Sequence, residues 1–145
     1  MAPQINSLMK IWKRYWSWLS NDTFNCRRSN RTHDKLIDRT GGSHGLRDQS
    51  LLESAVYSAM SGFEGSEAYP TIEEKAARLM YALTNNHAFV DGNKRIGVFT
   101  MLMTLQLNNV KINYSQAELI SLGLSVAEGK TEYVEILDWI MEHKI

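Results

Sequence analysis

Residues 95–107, RIGVFTMLMTLQL, most constrain the fold, because a helix formed by them is apolar on nearly every side. A helix with one apolar stripe can lie on a protein surface, whereas a helix that is apolar all round has to be enclosed by other elements. We therefore predict a central helix here, buried on most sides. The chain has 145 residues, enough to enclose such a helix within one domain.

The segments around this central helix show helical periodicity and recognisable start signals. The predicted helix starts are Asp48, Thr71 with Glu74, Ser115 with Glu118, and Thr131. Residues 33–42 are predicted to hold the last turns of another helix, closed by two glycines. Residues 62–70, GFEGSEAYP, indicate a loop or small hairpin, and only 110–114, VKINY, alternates as a short strand would. The fold class is therefore predicted to be all-α.

Charge and composition narrow the classes of function. The net charge is zero, but residues 1–32 carry six Lys/Arg against one Asp, and residues 33–145 carry ten against fifteen acidic residues. An acidic body argues against a broad nucleic-acid-binding surface, which needs clustered basic groups. No apolar run approaches about 18 residues, no secretory signal is evident, and the single cysteine, Cys26, cannot form an internal disulfide. We expect a cytoplasmic protein that binds neither nucleic acid nor a membrane.

Residues 1–32 differ from the rest of the chain and are interpreted as an atypical extension ahead of a domain over 33–145. They are aromatic and basic, with Trp12, Trp16 and Trp18 among lysines and arginines, and show no clear helical stripe. One interpretation is a poorly ordered extension or a misassigned start site. The alternative is a segment that binds a membrane surface or a partner protein.

The segment NNHAFVDGNKRIG, residues 85–97, places many polar groups between two apolar helical segments. It lies at the N-terminus of the predicted central helix, where open backbone N–H groups and the helix dipole favour anions. Lys94 and Arg95 put positive charge on this first turn, which is unfavourable unless an anionic ligand offsets it. Asp91 suits Mg²⁺, and His87 can take a proton near neutral pH. The segment therefore predicts a metal-nucleotide site beside a general base.

Each of these residues also has a structural interpretation. A loop histidine such as His87 is more often structural than catalytic, and Asp91 suits a turn or a helix cap. Lys94 and Arg95 could simply be solvated, and Phe89 is best explained as a core anchor for the loop. Taken singly these interpretations prevail, but the ordered arrangement at one helix junction favours a site.

The segment HAFVDGNKR, residues 87–95, resembles the signature H-x-F-x-[D/E]-[G/A]-N-[G/K]-R of the Fic/Doc superfamily at each fixed position. The flanking stretches HDKLIDRTGGSHGLRDQSLLESAVYSA, YPTIEEKAARLMYAL and LGLSVAEGKTEYVEILDWI are similar to the Doc (death-on-curing) branch. The resemblance covers residues 33–145. It implies a compact helical Fic/Doc (Fido) domain in which the motif loop precedes a buried central helix.

The resemblance also implies a role for each motif residue, with ATP and Mg²⁺ as cofactors. His87 would be the general base toward a hydroxyl of a target protein, and Asp91 would hold the magnesium on the nucleotide phosphates. Gly92 and Asn93 would line the anion site, and Lys94 and Arg95 would bind phosphate oxygens. Phe89 would anchor the loop, and residues 62–69 would be the flap that aligns the target chain.

Two positions decide between the reactions known for the superfamily. AMP-transferring members have glycine where this chain has Lys94, and a second arginine where it has Val98. The Doc branch shares this chain's choices, which implies transfer of the γ-phosphate of ATP to a translation elongation factor by a toxin. Gly92 is the residue found in the AMP-transferring branch, so AMP transfer is the alternative. A non-catalytic partner-binding regulator is the third hypothesis.

The resemblance further implies how such a toxin is restrained. Many Fic proteins carry an internal inhibitory helix with the pattern [S/T]-x-x-x-E-[G/N]. Here Glu128 and Gly129 are preceded by Leu124 at the position of the Ser or Thr. We therefore expect inhibition by a separate antitoxin protein.

Overall fold

The computed structural model describes residues 26–63 and 66–145. Within them the chain forms α1 Cys26–Thr40, α2 Gln49–Ser58, β1 Gly62–Phe63, β2 Ser66–Glu67, α3 Ile72–Asn86, α4 Asn93–Leu107, α5 Gln116–Ala127 and α6 Tyr133–His143. The predicted all-α class is confirmed. Of the predicted N-terminal extension, residues 1–25 lie outside the described residues. Because α1 already begins at Cys26, it crosses the boundary placed at residue 33, and that boundary stays a prediction.

The helices α3 and α4 form the most extensive contact in the fold, and the other helices pack around this pair. Helices α1 and α5 pack on α4, whereas α2 and α6 pack on α3. The buried residues of α4 cover its whole circumference: Ile96, Gly97, Val98, Phe99, Thr100, Met101, Leu102, Met103 and Leu105. The predicted central helix is thus confirmed. None of the described helices has both the length and the apolarity to cross a bilayer.

The predicted helix starts are confirmed at three of four positions. The side chains of Asp48, Thr71 and Ser115 each accept a hydrogen bond, at 3.1 Å, from the backbone N–H three residues on. The last helix differs, because its N-cap is Glu132 rather than Thr131. Glu135 accepts a bond from the Glu132 N–H at 3.1 Å, while the Thr131 hydroxyl shares a hydrogen bond with Ser125.

The strands Gly62–Phe63 and Ser66–Glu67 form the small hairpin that the sequence left open as an alternative to a loop. Gly62 pairs with Glu67 and Phe63 with Ser66 in an antiparallel register. Lys75 of α3 holds the base of the hairpin, because its ammonium group binds Glu67 and the Tyr69 carbonyl. The predicted extended piece at 110–114 contributes only an isolated bridge from Ile112 to Lys144, which tethers the C-terminus.

Gly97 sets how closely α3 and α4 approach. A Cβ at this position would lie 2.3 Å from the Thr84 hydroxyl oxygen and 3.0 Å from the Met80 carbonyl oxygen. Because the second of these atoms belongs to the α3 backbone, it cannot rotate away as a side chain could. The glycine is therefore a packing requirement of the central helix pair.

We predict that Gly97→Ala destabilises the fold by about 1–3 kcal/mol, as overpacking does. At a helix position with free space, Gly→Ala stabilises by roughly 0.5–1 kcal/mol. The sign of the change in unfolding free energy therefore shows whether Gly97 is required for packing. Thr84→Ala removes the nearest clashing atom and should restore part of the loss in the double variant. Urea unfolding of the two single variants and the double variant measures this, and a stability gain in Gly97→Ala alone would contradict the packing explanation.

His143, at the end of α6, joins α6 to α5 through an ion pair. Its Nε2 lies 2.6 Å from the Glu118 carboxylate, and its Nδ1 lies 2.7 Å from the Trp139 carbonyl oxygen. Both partners are acceptors, so the two bonds together require the doubly protonated ring. Partial burial alone would lower the pKa of His143, but the Trp139 carbonyl and Glu118 outweigh it and raise that pKa above its ordinary value of 6.5.

We predict a pH-dependent stability contribution from this pair. Because the pKa of His143 is higher in the folded than in the unfolded chain, the contribution is fully present below pH 6.5 and is lost as the pH rises through the folded pKa. Glu118→Gln removes the carboxylate and should lower the pKa of His143. Proton NMR titration of the imidazole checks the shift. An unchanged His143 titration in Glu118→Gln would mean that the ion pair is not formed in solution.

Candidate active site

The connection between the two central helices, residues 87–92, carries most of the predicted site residues and is called the site loop below. It lies against the segment before α2. The N–H groups of Arg47 and Asp48 donate to the Ala88 carbonyl at 2.7 and 3.1 Å, and the Val90 N–H donates to the Gly45 carbonyl at 3.0 Å. Segment 45–48 thus supplies one side of a short strand-like pairing that fixes the path of the site loop.

Asn93, the first residue of α4, clamps the same loop from the other side. Its side-chain oxygen accepts from the Phe89 N–H and its side-chain nitrogen donates to the Phe89 carbonyl, both at 3.0 Å. Both ends of the Asn93 amide are therefore used on the loop backbone. The backbone N–H of Asn93 lies at the start of the helix, where it has no partner within α4.

Phe89 and His33 form the buried base of the site loop. The Phe89 side chain is 1% exposed and that of His33, from α1, is fully buried. Their rings stack with centroids 3.8 Å apart and planes 7° from parallel. The His33 Nε2–H donates to the Asp91 carbonyl at 2.5 Å, and burial lowers the pKa of His33, which keeps the ring neutral. The ring therefore contacts the site loop at two points.

The Asp91 carboxylate is held by backbone donors on both oxygens. The Ser43 N–H donates to Oδ2 at 3.1 Å and the Gly92 N–H to Oδ1 at 2.8 Å, while the Arg95 guanidinium lies 3.5 Å from Oδ2. The Ser43 and Gly92 bonds, with Arg95 and His33 as smaller causes, lower the pKa of Asp91. A partly exposed, ionised carboxylate is a hard oxygen ligand for Mg²⁺.

Gly42 makes room for this arrangement. A Cβ on Gly42 would lie 2.4 Å from Asp91 Oδ2 and 2.7 Å from the Arg95 guanidinium, and its φ of +111° is one that other residues rarely adopt. Only a glycine lets the chain pass close enough for the next N–H, that of Ser43, to reach the carboxylate.

The N-terminus of α4 is open toward the loop. Its N-cap, Gly92, has a left-handed φ of 76° and no side chain caps the helix. The N–H groups of the first turn have no partner within a helix and point outward along its axis. With the positive end of the helix dipole, they form a site suited to phosphate.

The two cations of this turn have different surroundings. Arg95 is largely buried by the end of α1, where it donates to the Thr40 hydroxyl at 2.8 Å and to the Gly41 carbonyl. Lys94 is exposed, and its alkyl chain passes 3.5 Å from where a Cβ on Gly123 of α5 would lie. No carboxylate in residues 26–63 or 66–145 pairs with Lys94. Lys94 is therefore the cation available to a ligand, while Arg95 joins α4, α1 and Asp91.

His87 ends α3 in a left-handed conformation, with φ 52° and ψ 45°. Its carbonyl accepts from Arg47 Nε at 2.8 Å, and its side chain is exposed. The α3 terminus and Arg47 thus fix the His87 backbone, while the imidazole faces solvent and can exchange protons with a bound hydroxyl.

Sequence reasoning missed four contributors: His33, Gly42, Ser43 and Arg47. All lie 40 or more positions before their contacts in the site loop, so local spacing could not connect them. The available signal was a histidine in the helical spacing of Leu36 and Ile37. That spacing indicates a buried ring, although it does not identify the ring's partner.

Comparison with known proteins gives consistent matches. A model of the Fic/DOC family matches residues 24–105. The chain is 40% identical over 72 residues to "Toxin Doc" of Mycolicibacterium smegmatis, an alignment that covers 50% of this chain and 55% of that relative, about half its length. It is 28% identical over 106 residues to "Protein kinase doc" of Escherichia phage P1, covering 73% of this chain and 82% of that relative.

We predict that Asn93→Asp destabilises the protein at least as much as Asn93→Ala, although aspartate has almost the same shape. Aspartate keeps the acceptor for the Phe89 N–H but turns a second acceptor toward the Phe89 carbonyl. Each lost bond costs about 0.5–1.5 kcal/mol, and an unpaired buried group about 1–3 kcal/mol. Thermal unfolding of the two variants at pH 7 provides the measurement. If Asn93→Asp matched the unsubstituted protein, the side-chain nitrogen would not be donating to Phe89.

Proposed function

This chain belongs to the Doc branch of the Fic/DOC family, and from that premise we propose that it is a Doc-like toxin with protein kinase activity. The reaction is transfer of the γ-phosphate of ATP to a hydroxyl of a target protein, a translation elongation factor, which arrests growth. The observation that carries the proposal is an uncapped helix N-terminus beside an ionised carboxylate and an exposed histidine.

Phosphate binding is assigned to the first turn of α4. The backbone N–H groups of residues 93–95 have no hydrogen-bond acceptor within the helix. They lie at the N-terminus of α4, which is the positive end of its dipole. Lys94 adds an exposed positive charge without a carboxylate partner in the described part of the chain. A phosphate placed here satisfies the open donors and offsets the cost of a cation at a helix N-terminus.

Metal binding is assigned to Asp91, because its carboxylate and the groups around it fit magnesium. Each carboxylate oxygen accepts one backbone hydrogen bond, which leaves further lone pairs on the carboxylate for a metal ion. When bound, magnesium neutralises charge on the phosphates and ATP supplies the phosphoryl group. Asp91 is held ionised by its backbone donors, so it offers the charged form of the ligand at neutral pH.

Proton transfer is assigned to His87. The hydroxyl proton of the target side chain goes to the imidazole, and the oxygen freed of it forms the new bond to the γ-phosphorus. The bond from that phosphorus to the oxygen bridging the β- and γ-phosphates breaks, and ADP is the leaving group. The fixed backbone of His87 limits where the ring can reach, because Arg47 and the end of α3 hold it. Such a base contributes about 10²- to 10⁴-fold in rate.

Two positions support transfer of phosphate rather than AMP. Val98 is 1% exposed and packs toward Gly123, so this position offers no charge to hold a terminal phosphate. Lys94 occupies the first turn of α4 where a glycine would leave more space. Both features favour the binding mode in which the γ-phosphate is attacked.

Restraint is assigned to a separate antitoxin. Glu128, the residue that an internal inhibitory helix would use, is exposed at the end of α5 and pairs with Lys130 at 3.0 Å. Leu124, at the position where the inhibitory pattern has Ser or Thr, has no hydroxyl group and is 43% exposed. Neither of these two positions fits the inhibitory pattern, and the antitoxin is the partner that the similarity to Doc toxins supports.

We predict that purified protein, given Mg²⁺ and bacterial extract, transfers label from γ-labelled ATP to one protein band and transfers none from α-labelled ATP. His87→Ala should reduce the labelling rate by about 10²- to 10⁴-fold, because it removes the base. His44→Ala is the matched control, since His44 is exposed and lies between Asp34 and Asp38, 3.3 and 2.9 Å from their carboxylates.

The outcomes separate the three hypotheses. Label from the α-position, lost in His87→Ala, would establish an AMP transferase and overturn phosphate transfer. Absence of label from both positions, with unchanged growth inhibition by His87→Ala in cells, would favour the partner-binding regulator. Equal losses in His87→Ala and His44→Ala would contradict the specific assignment of the base.

A further inference from the structure

The buried ring of His33 contacts the site loop in a way that packing alone does not require. Stacking on Phe89 at 3.8 Å could be provided by another flat or apolar side chain. The imidazole adds one property, a donor that reaches the Asp91 carbonyl at 2.5 Å. Its other nitrogen, Nδ1, is buried without a hydrogen-bond partner in the described part of the chain. An unpaired buried polar atom is unfavourable, so the histidine carries a cost in stability that an apolar side chain at this position would not.

The bond from His33 acts on the peptide group between Asp91 and Gly92. Its carbonyl accepts from His33 Nε2, and its N–H, on Gly92, donates to Asp91 Oδ1 at 2.8 Å. A peptide group is planar, so a bond that fixes the direction of its carbonyl also fixes the direction of its N–H. The orientation of the Asp91 carboxylate is thus linked through one rigid plane to a side chain on α1.

The same plane leads into the open end of α4. Gly92 is the N-cap, and its φ of 76° turns the chain from this peptide into the first helical turn. The other Asp91 oxygen is fixed separately by the Ser43 N–H at 3.1 Å. With the Gly92 bond released, the carboxylate could rotate about its remaining contacts with Ser43 and Arg95.

We propose that His33 is a positioning residue for the metal carboxylate: its Nε2–H fixes the Asp91–Gly92 peptide, and that peptide fixes the Asp91 side chain toward the open terminus of α4. The inference rests on the proposed function for the metal, but the positioning of Asp91 stands on the geometry alone. Removing a group that orients a metal ligand through a hydrogen bond typically lowers metal affinity or activity by about 10- to 100-fold.

The test uses the full chain and two substitutions at one position. His33→Leu keeps an apolar side chain against Phe89 and removes the donor. His33→Gln restores an N–H donor of similar reach. Ile140→Ala is the control for lost stability, because Ile140 is fully buried in α6, which packs on α3 rather than on the site loop.

Two readouts are expected to change together. Amide hydrogen exchange at Gly92, followed by NMR without nucleotide or metal, should accelerate by at least about tenfold in His33→Leu and recover toward the unsubstituted rate in His33→Gln. The Mg²⁺ concentration for half-maximal transfer of γ-label should rise about 10- to 100-fold in His33→Leu, with a much smaller fall in the rate at saturating Mg²⁺. Ile140→Ala should move neither readout beyond its effect on global stability.

Unchanged Gly92 exchange in His33→Leu would overturn the positioning role whether or not the protein transfers phosphate. Accelerated exchange with an unchanged Mg²⁺ requirement would overturn the link to the metal and leave the kinase proposal intact. If the unsubstituted protein transferred no label, the kinase proposal would fail, and the Gly92 exchange would still decide whether His33 orients Asp91.

Discussion

The burial of α4 on every side is the constraint on which the rest of the structure depends. A helix enclosed in this way leaves only its two ends in contact with solvent, and its N-terminus carries unsatisfied N–H groups. Close packing on α3 at Gly97 fixes where that terminus lies. The residues that connect the two helices therefore come together at the end of the central helix whose N–H groups need partners. The candidate site is a consequence of how the core is built.

The site loop is rigid because most of its backbone N–H and C=O groups form hydrogen bonds. Ala88, Phe89 and Val90 each have backbone hydrogen bonds to segment 45–48 or to Asn93. Such bonds contribute modestly one by one, but leaving buried peptide groups unpaired is costly, so the loop has few alternative conformations. This rigidity matters for the proposed chemistry, because a carboxylate that is already oriented loses little freedom when a ligand binds. The loop is therefore anchored like the core through its buried residues, although some of its side chains are exposed.

The sequence predicted those features that depend on neighbours along the chain. The starts of α2, α3 and α5 follow from Asp48, Thr71 and Ser115, whose side chains bind the N–H three residues later. The central helix follows from apolarity on all sides. The first turns of α1 could not be predicted, because residues 26–31, CRRSNR, show no apolar stripe.

In the candidate site, too, the features that depend on neighbours along the chain could be predicted and those that depend on distant contacts could not. The motif residues 87–95 are contiguous and could be identified together, but His33 of α1, the Ser43 N–H and Arg47, which also donate to Asp91 or His87, lie far from the motif in the sequence. Those contacts depend on how α1 crosses α4, which no local pattern encodes. Asn93 illustrates the difference: the motif predicts that it lines the anion site, while the structure adds a second role, because its side chain also binds the Phe89 backbone.

Lys94 and Arg95 show why adjacent residues of one motif should not be treated as equivalent. Arg95 lies between the C-terminal end of α1, where carbonyl oxygens are negative, and the Asp91 carboxylate, so its charge is neutralised within the fold. Lys94 points to the other side of the helix, over Gly123, and its charge has no such compensation among the described residues. Loss of Arg95 should therefore separate α1 from the site loop and disturb the support of Asp91, whereas loss of Lys94 should leave the fold intact and change ligand binding. The motif thus combines a structural cation that holds the Asp91 carboxylate in place with a second cation that is exposed and has no carboxylate partner among the described residues.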